Sequence, residues 1–376
     1  MDLTWSAEDE DFRAEARSWL EANVPRPALA SGDTRDGFAR HLDWEKRLFE
    51  NRWAVVSWPE EFGGRGASIW QWLIFEEEYY RAGGPQRVTQ NGIFLLAPTV
   101  FEFGTAAQQA RILPRMAAAD DLWCQGWSEP GAGSDLAGIT SRAERTDGGW
   151  SLTGQKIWTT RGAFCTHLFG LFRTDPDSSR HKGLTYFLVP LDAPGIEVRG
   201  FGRLDGDEGF AEVFLDGVEV TDDDILGGVG QGWSVAMATT GSERGLTLRS
   251  PGRFTAVVDR LISLAAAEQT SDPLLIDRVV QGWMDAEAYR LFTLQAVTSL
   301  AGGAKPGAES SLNKIWWSEM DIRLHETALA LQGPAAEIDD GWMKGFEFAL
   351  SGPIYAGTNE IQRNIAAERV LGLPRS

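Results

Sequence analysis

The chain has 376 residues, of which 43% are apolar and 24% are charged, so it is long enough for two or three domains with substantial cores. Its net charge of -19 repels phosphate backbones and anionic lipids, which argues against nucleic acid or a membrane surface as a partner. Because it has neither a long apolar run nor a basic segment followed by an apolar one near its start, we expect a cytoplasmic protein without a signal peptide or membrane span.

The first third of the chain is predicted to be helical. Residues 6–22 place apolar side chains on one face at helical spacing, behind a capping pair formed by Ser6 and Asp9. Three further segments continue this pattern and are separated by turn-rich stretches: 36–54, 68–81 and 105–119.

From about Asp121 the pattern changes to short runs of β-branched and aromatic residues separated by turn residues. Between two of these runs, Asp216-Gly217 predicts a tight hairpin, because such turns need residues that tolerate positive φ. The middle of the chain therefore reads as an antiparallel β domain.

Helical periodicity returns after the glycine-rich residues 227–233 and is clearest in residues 254–262. Segments 325–332 and 359–371 are also predicted to be helical. The order of elements predicts an α+β multi-domain protein with an N-terminal α-helical domain (1–120), a middle antiparallel β domain (121–228) and a C-terminal helical-bundle domain (229–376).

Several common cofactor and metal motifs are missing. The glycines of "EPGAGSDLAG" do not have the spacing of a nicotinamide-binding G-x-G-x-x-G turn, and they do not open a strand–helix–strand unit. The two cysteines, Cys124 and Cys165, are too few for a disulfide framework or a thiolate metal cage, and two small buried thiols in a reducing compartment are the favoured interpretation. The four histidines lack ligand spacing, so no metal is expected.

The segment "WCQGWSEPGAGSDLAG", residues 123–138, combines glycines with hydroxyl, amide and indole groups. Such a set suits a planar ligand with hydrogen-bonding edges, because the glycines let a backbone approach the ligand closely. A tight turn entering the β domain explains the same residues about equally well. The segment "KIWTT", residues 156–160, repeats the combination of an aromatic ring with hydroxyls and shifts the balance toward a stacked cofactor.

Four motifs together resemble the acyl-CoA dehydrogenase family: "SEPGAGSDLAG", "LTGQKIWTT", "GVGQGW" leading into "SERG", and "IYAGTNEIQRNIAAERVLGLPR". Their order and spacing follow that family along almost the whole chain. The resemblance implies the three-domain fold with a C-terminal four-helix bundle, bound FAD, and α,β-desaturation of an acyl-CoA thioester. It also implies a tetramer that passes electrons to an electron-transferring flavoprotein.

The resemblance assigns roles to individual residues. By position, the flavin ring would be lined by Gln125, Trp127, Ser128, Trp158 and Thr160. Thr358 and Glu360 fall where the family contacts the phosphates and adenosine side of FAD. Substrate contacts fall on Ser134, near the CoA part of the ligand, and on Arg244, Tyr355 and Gly357.

The catalytic base is the main departure from the commoner family pattern. Medium-chain members carry a glutamate at the position of Ala356, which has only a methyl group. A branch resembling isovaleryl-CoA and long-chain dehydrogenases carries the glutamate on a helix just before an arginine, and Glu243-Arg244 match that place. An exposed glutamate paired with its neighbour is the usual alternative, but the alanine favours Glu243 as the base. The backbone N–H of Ala356 would still hold the thioester oxygen.

A second departure concerns the subunit interface. Gln269 and Asp272 occupy positions where many members carry an arginine and a phenylalanine that reach the FAD of a neighbouring subunit. Either local contacts hold the cofactor or a related subunit supplies the arginine, as in heteromeric enzymes that act on bulky steroid side chains. An oxygen-using flavin oxidase or monooxygenase, or a non-catalytic partner subunit, remains an alternative. The position of the base favours branched, cyclic or bulky acyl groups.

Overall fold

The computed structural model describes residues 4–244, 250–304, 307–338 and 340–374, without the side chains of residues 242–244 and 340. The chain divides into two compact units. The helical unit consists of Met1–Arg26, Ala67–Pro85 and Arg244–Ser376, and the sheet unit consists of Pro27–Gly66 and Gln86–Glu243. The domain boundaries inferred from the sequence stay a prediction.

The helices of the described ranges are α1 (Ala7–Asn23), α2 (Arg35–Glu50), α3 (Ile69–Arg81), α4 (Ala97–Phe103), α5 (Ala106–Ala117), α6 (Gly232–Arg244), α7 (Pro251–Ala267), α8 (Pro273–Ala301), α9 (Ser310–Gln332), α10 (Asp340–Ala349) and α11 (Asn359–Ile365). A π-helical stretch, Asn91–Leu96, precedes α4, and a second, Ala366–Val370, follows α11. The predicted helical segments of the first third and of the C-terminal third are confirmed.

Local sequence explains where α1 begins and which face it buries. Ser6 accepts a hydrogen bond from the backbone N–H of Asp9, whose carboxylate accepts one in return from Ser6, so the predicted capping pair is a full capping box. Phe12, Ala16 and Leu20 then recur every four residues and are buried. Within the helical unit, α1 packs against α3 and α3 packs against α7.

The C-terminal helices of the helical unit share an apolar core. Phe254 of α7 contacts Tyr289 of α8 edge-on, with ring centroids 5.3 Å apart, and stacks on Trp317 of α9 at 6.4 Å. Asp272 is one of the two residues at which the sequence departs from the family pattern for the subunit interface. It caps α8 by accepting a hydrogen bond from the backbone N–H of Leu274 at 2.9 Å.

Eight strands of the sheet unit form one sheet: β1 (Trp123–Gly126), β2 (Arg142–Thr146), β3 (Gly149–Thr160), β4 (His167–Arg173), β5 (Leu184–Pro190), β6 (Ile196–Phe201), β7 (Phe210–Val220) and β8 (Ile225–Leu226). The order across the sheet is β6-β7-β3-β2-β4-β5-β8, and β1 pairs with β4. The predicted antiparallel arrangement holds for most pairs, whereas β4 pairs in parallel with β1 and, at one bridge, with β2.

The predicted hairpin at Asp216-Gly217 is wrong, because β7 runs straight through both residues. The β3–β7 ladder pairs Leu152 with Val218 and then Gly154 with Leu215, so β7 has one extra residue here. Gly217 has φ +65°, and the dipeptide therefore forms a β-bulge. A bulge and a tight turn need the same positive-φ residue, which is why the local sequence did not separate them.

None of the helices in the described ranges combines the length and apolar character needed to cross a membrane. Within the same ranges, no group of three or more histidine, cysteine and acidic side chains is arranged to hold a metal ion.

Candidate active site

Strand β1 and the turn after it carry the first set of predicted site residues, all in the sheet unit. Gln125 is half-buried on β1, opposite Phe169 of β4. Trp127 is 6% exposed and meets Phe169 and Tyr186 edge-on, with ring centroids 6.5 and 6.2 Å away. Its indole Nε1 is buried and has no hydrogen-bond partner among the described residues. An indole N–H in this state is costly unless a ligand accepts from it.

The turn that follows is open on one side. Ser128 is half-buried, and its carbonyl accepts a hydrogen bond from the backbone N–H of Ile157 at 2.9 Å, so the two aromatic motifs lie side by side. A Cβ added at Gly131 or Gly133 would meet no protein atom within 4 Å. Packing within the protein therefore does not require these glycines. The predicted CoA contact, Ser134, is exposed.

A buried ion pair joins the same two motifs. Lys156 is fully buried, and its Nζ donates to Glu129 Oε1 and to the carbonyl of Leu171, both at 2.8 Å. The Glu129 carboxylate also accepts from the backbone N–H groups of Thr140 and Ser141, at 2.6 and 3.0 Å. Since Ser128 precedes Glu129 and Trp158 lies two residues after Lys156, the pair fixes both segments relative to each other.

Sequence reasoning missed this pair, although one signal for it was present. Lys156 lies an even number of residues from the buried Leu152 on β3, which places it on the inward face of the strand. A lysine at an inward position needs a buried partner, and the glutamate inside "SEPGAG" was the candidate.

The environment shifts both pKa values of the pair. Burial alone would raise the pKa of Glu129, but the Lys156 ammonium and the hydrogen bonds outweigh it and lower that pKa to about 2. Burial lowers the pKa of Lys156 to about 8, against the opposing charge of Glu129. The two groups are therefore both charged at neutral pH.

We expect Glu129 to make the unfolding free energy fall as the pH is lowered. Its pKa is lower in the folded protein than the ordinary value of 4.5, so its contribution is complete above that value and disappears as the pH falls toward about 2. The loss is up to about 3 kcal/mol of unfolding free energy. Denaturant unfolding between pH 6 and pH 2.5 measures it, and the Glu129→Gln/Lys156→Met double variant should show a shallower decline. An identical decline in both proteins would contradict the assignment.

The end of β3 is irregular and presents Trp158 outward. The ladder with β7 pairs Lys156 with Val213 and then Thr159 with Ala211, so β3 has an extra residue in between. Regular alternation would put Trp158 on the inward face with Lys156. Instead Trp158 has φ +60° and is 58% exposed, whereas Thr159 is fully buried. A non-glycine residue in this conformation costs about 1–3 kcal/mol and is concentrated at functional sites.

Two aromatic side chains support the exposed indole. Phe201 of β6 and Phe210 of β7 meet the Trp158 ring edge-on, with centroids 5.3 and 5.6 Å away. The half-buried Thr160 ends the strand, opposite Phe210. A broad aromatic face and a hydroxyl are thus held at the end of the sheet.

The C-terminal motif lies in the helical unit and forms a tight turn before α11. Ala356 and Gly357 have φ +57° and +79°, and Gln362 donates its side-chain N–H to the Ala356 carbonyl at 2.9 Å. Thr358 caps α11 by accepting from the backbone N–H of Ile361. No acceptor among the described residues engages the backbone N–H of Ala356. Glu360 is exposed, and its carboxylate has a lowered pKa because it accepts hydrogen bonds from the backbone N–H of Glu360 and from the Thr358 hydroxyl.

Buried polar contacts fix this turn to α9. Asn359 is 2% exposed, and its Oδ1 accepts from Lys314 Nζ at 2.8 Å and from Ser318 Oγ at 3.2 Å. Tyr355 packs against Trp317, with ring centroids 5.8 Å apart. These contacts hold the turn against α9.

The predicted base falls at the end of α6. Glu243 and Arg244 are the last two residues of this helix, and their side chains lie outside the described residues. Gln269, which stands where many family members carry an interface arginine, is exposed just beyond α7, with φ +49°.

Comparisons with known proteins agree along the chain. Models of the acyl-CoA dehydrogenase N-terminal, middle and C-terminal domains match residues 6–120, 124–218 and 230–371. Acyl-CoA dehydrogenase IpdE1 of Mycobacterium tuberculosis is 40% identical over 97% of this chain and 98% of its own length. The solved structure named Tcur3481-Tcur3483 steroid ACAD is 26% identical, with a TM-score of 0.89 and full coverage of both chains. The ChsE4-ChsE5 complex from M. tuberculosis is 25% identical, with a TM-score of 0.85 and full coverage of both chains.

A helical N-terminal region, a single β sheet and a helical C-terminal region, matched in this order, define a flavoprotein oxidoreductase. The chain belongs to the acyl-CoA dehydrogenase family.

Proposed function

We propose that this protein uses FAD to desaturate an acyl-CoA thioester between its α and β carbons. The observation that carries the proposal is the exposed Trp158 ring on a strained bulge, beside a motif whose Trp127 Nε1 is buried without a partner. A planar cofactor with polar edges supplies both a stacking surface for the first group and an acceptor for the second.

The residues of the sheet unit fit such a cofactor. Gly131 and Gly133 leave open space where a side chain would stand, which permits close approach of a ligand to the backbone. Gln125, Ser128 and Thr160 add an amide and two hydroxyls that are half-buried, hence partly accessible. In the helical unit, Thr358 and Glu360 begin α11 and would contact the phosphate and adenosine side.

The proposed reaction divides its work between the cofactor and the chain. When bound, FAD supplies an acceptor at N5 for the hydride that leaves the β carbon. Glu243 takes the α proton as general base, so the thioester becomes an α,β-unsaturated product. The backbone N–H of Ala356 donates to the thioester oxygen as it gains negative charge; in other enzymes one such donor lowers the barrier by about 3 kcal/mol.

The use of a backbone N–H as donor explains why an alanine suffices at residue 356. A backbone N–H does not depend on the side chain, and the turn is held by Gln362 and Asn359. Arg244, Tyr355 and Gly357 would line the substrate near these groups, with Ser134 toward CoA. Tyr355 already has a fixed ring, packed on Trp317.

We assign bulky, ring-containing acyl groups as the substrate class. The base on α6 replaces a glutamate in the turn at Ala356, which leaves only a methyl group there. The similar solved structure that is named a steroid ACAD supports the same class. Similarity to IpdE1 supports an acyl-CoA substrate in general.

We also propose that the protein assembles with copies of itself or a related subunit into a tetramer, in the cytoplasm, and reduces an electron-transferring flavoprotein. Helix α8 supports association, because large apolar side chains recur on it at helical spacing and are 42–51% exposed. They are Ile276, Val280, Trp283, Met284 and Leu291. Gln269 lacks the charge to bind a neighbour's FAD pyrophosphate, so a related subunit that carries an arginine fits this role.

A panel of acyl-CoAs tests the proposal. The FAD-loaded protein, alone and with candidate partner chains, is mixed anaerobically with straight-chain, branched and steroid-ring thioesters while the flavin absorbance is followed. We expect bleaching with bulky thioesters and slow return of the absorbance in air. Fast return in air would instead indicate an oxygen-using oxidase, and no bleaching with any thioester would indicate a non-catalytic subunit.

A further inference from the structure

The strained end of β3 needs something to hold it in place. Both Trp158 and Arg161 have positive φ, +60° and +54°, and only two residues separate them. Neither is a glycine, so this backbone persists only where surrounding contacts fix it. Such contacts are found at Arg161 and around the Trp158 ring, and both lead to one buried carboxylate.

Arg161 anchors the chain directly. Its backbone N–H donates to the carbonyl of Gly209 at 2.9 Å. Its guanidinium Nε lies 2.6 Å from Asp33 Oδ1, and the two side chains are only 3% and 4% exposed. A buried charge of this kind stays in place only with its counter-charge, so Asp33 determines where Arg161 lies.

The second oxygen of the same carboxylate reaches the aromatic support of Trp158. Asp33 Oδ2 accepts a hydrogen bond from Arg203 Nη1 at 2.6 Å. The Arg203 guanidinium lies 6.0 Å from the ring centre of Phe210, which in turn meets Trp158 edge-on. Asp33 therefore bridges the backbone after Trp158 and the ring beside it.

The carboxylate itself is rigidly placed. Asp33 lies just before Thr34, which caps α2 by accepting from the backbone N–H of Gly37. On the next turn of α2, the two ring nitrogens of His41 lie 3.0 and 2.9 Å from the carbonyl oxygens of Ala30 and Gln86. Burial would raise the pKa of Asp33, but Arg161 and Arg203 outweigh it and lower that pKa, so the group is an anion at neutral pH.

We propose that Asp33 is a positioning residue for the flavin-binding end of β3, acting through Arg161 on the backbone and through Arg203 and Phe210 on the Trp158 ring. This inference rests on the proposed function, because it assigns Trp158 and Thr160 to the flavin. Asp33 lies on the connection before α2, far from both residues in sequence, and its side chain bonds Arg161 and Arg203 instead of either of them.

The test compares flavin binding with folding. Apoprotein of the Asp33→Asn variant is titrated with FAD, and the spectrum and midpoint potential of the bound flavin are recorded. We expect the Kd for FAD to rise at least about tenfold and the absorbance bands to broaden, because the ring support is looser. If Asp33→Asn does not fold, Arg161→Lys keeps the charge but loses the planar guanidinium, and it should show the same loss of FAD affinity.

Glu45→Gln is the matched control. Glu45, which lies within α2, forms another buried ion pair of the sheet unit with Arg87, at 2.7 Å. This variant should lower the unfolding temperature while the Kd for FAD stays within about twofold of wild type. The double variant Asp33→Asn/Arg161→Gln should bind FAD no more weakly than the weaker of its two single variants.

The outcomes separate the two proposals. Wild-type apoprotein that takes up no FAD would overturn both the proposed function and this inference. Normal uptake by wild type, with Asp33→Asn and Glu45→Gln affecting only the unfolding temperature, would overturn the positioning role alone. Additive losses of FAD affinity in the double variant would also overturn it.

Discussion

Replacing Glu243 by glutamine is expected to leave a folded, yellow protein whose flavin is no longer reduced by acyl-CoA. Glutamine keeps the size of the side chain but cannot take the α proton, and a general base contributes about 10²–10⁴-fold to such a step. The rate of flavin bleaching after anaerobic mixing with a substrate thioester measures the loss. Unchanged bleaching would show that the base lies elsewhere.

A matched control separates this effect from the loss of a charge. Glu268→Gln removes an exposed carboxylate beyond the C-terminal end of α7 and should bleach at the wild-type rate. A second variant tests the turn at residue 356. In the Glu243→Gln background, Ala356→Glu should restore part of the bleaching with straight-chain thioesters. Continued inactivity would mean that the turn, with its φ of +57° at this residue, does not aim a carboxylate at the α carbon.

Replacing Lys156 by methionine is expected to have the largest effect on stability. Glu129 would keep its hydrogen bonds from Thr140 and Ser141 but lose its counter-charge, although its carboxylate is buried. Removing one partner of a buried ion pair costs about 3–5 kcal/mol. Denaturant unfolding of the FAD-free protein measures this loss. We also expect weaker FAD retention, because the pair joins the Ser128 and Trp158 segments.

Lys182→Met provides the control for the lysine substitution. Lys182 is exposed in the same unit, so its replacement should change the unfolding free energy by less than about 0.5 kcal/mol. Equal stabilities of the two variants would contradict the role of the buried pair. The Glu129→Gln/Lys156→Met double variant should recover part of the loss, since it leaves no uncompensated charge.

The sequence predicted the helical elements well because their signals are local. The predicted capping pair of Ser6 and Asp9 depends on two residues three apart, and the structure has it. The order of helical, β and helical regions followed from the change in hydrophobic period and is confirmed. The hairpin at Asp216-Gly217 failed because its positive-φ requirement is met equally by a bulge.

The candidate site was predicted less completely, because its decisive features are not local. Alternation along β3 gives no sign that Trp158 turns outward, since the extra residue appears only in the pairing with β7. Nothing near Asp33 in the sequence indicates that it meets Arg161, because a long chain segment separates them. The roles of Glu243 and Ala356 come from family resemblance and stay predictions.

The helical unit is assembled from chain segments that are far apart in sequence, and this has a consequence for biosynthesis. Helix α3 packs against α7, and the approach is close: a Cβ at Gly252 would lie 2.8 Å from the carbonyl oxygen of Glu76. The ribosome makes α3 long before α7, so the surface of α3 that packs against α7 leaves the exit tunnel without that partner. We therefore expect chains that stop before α7 to aggregate more readily than the full chain.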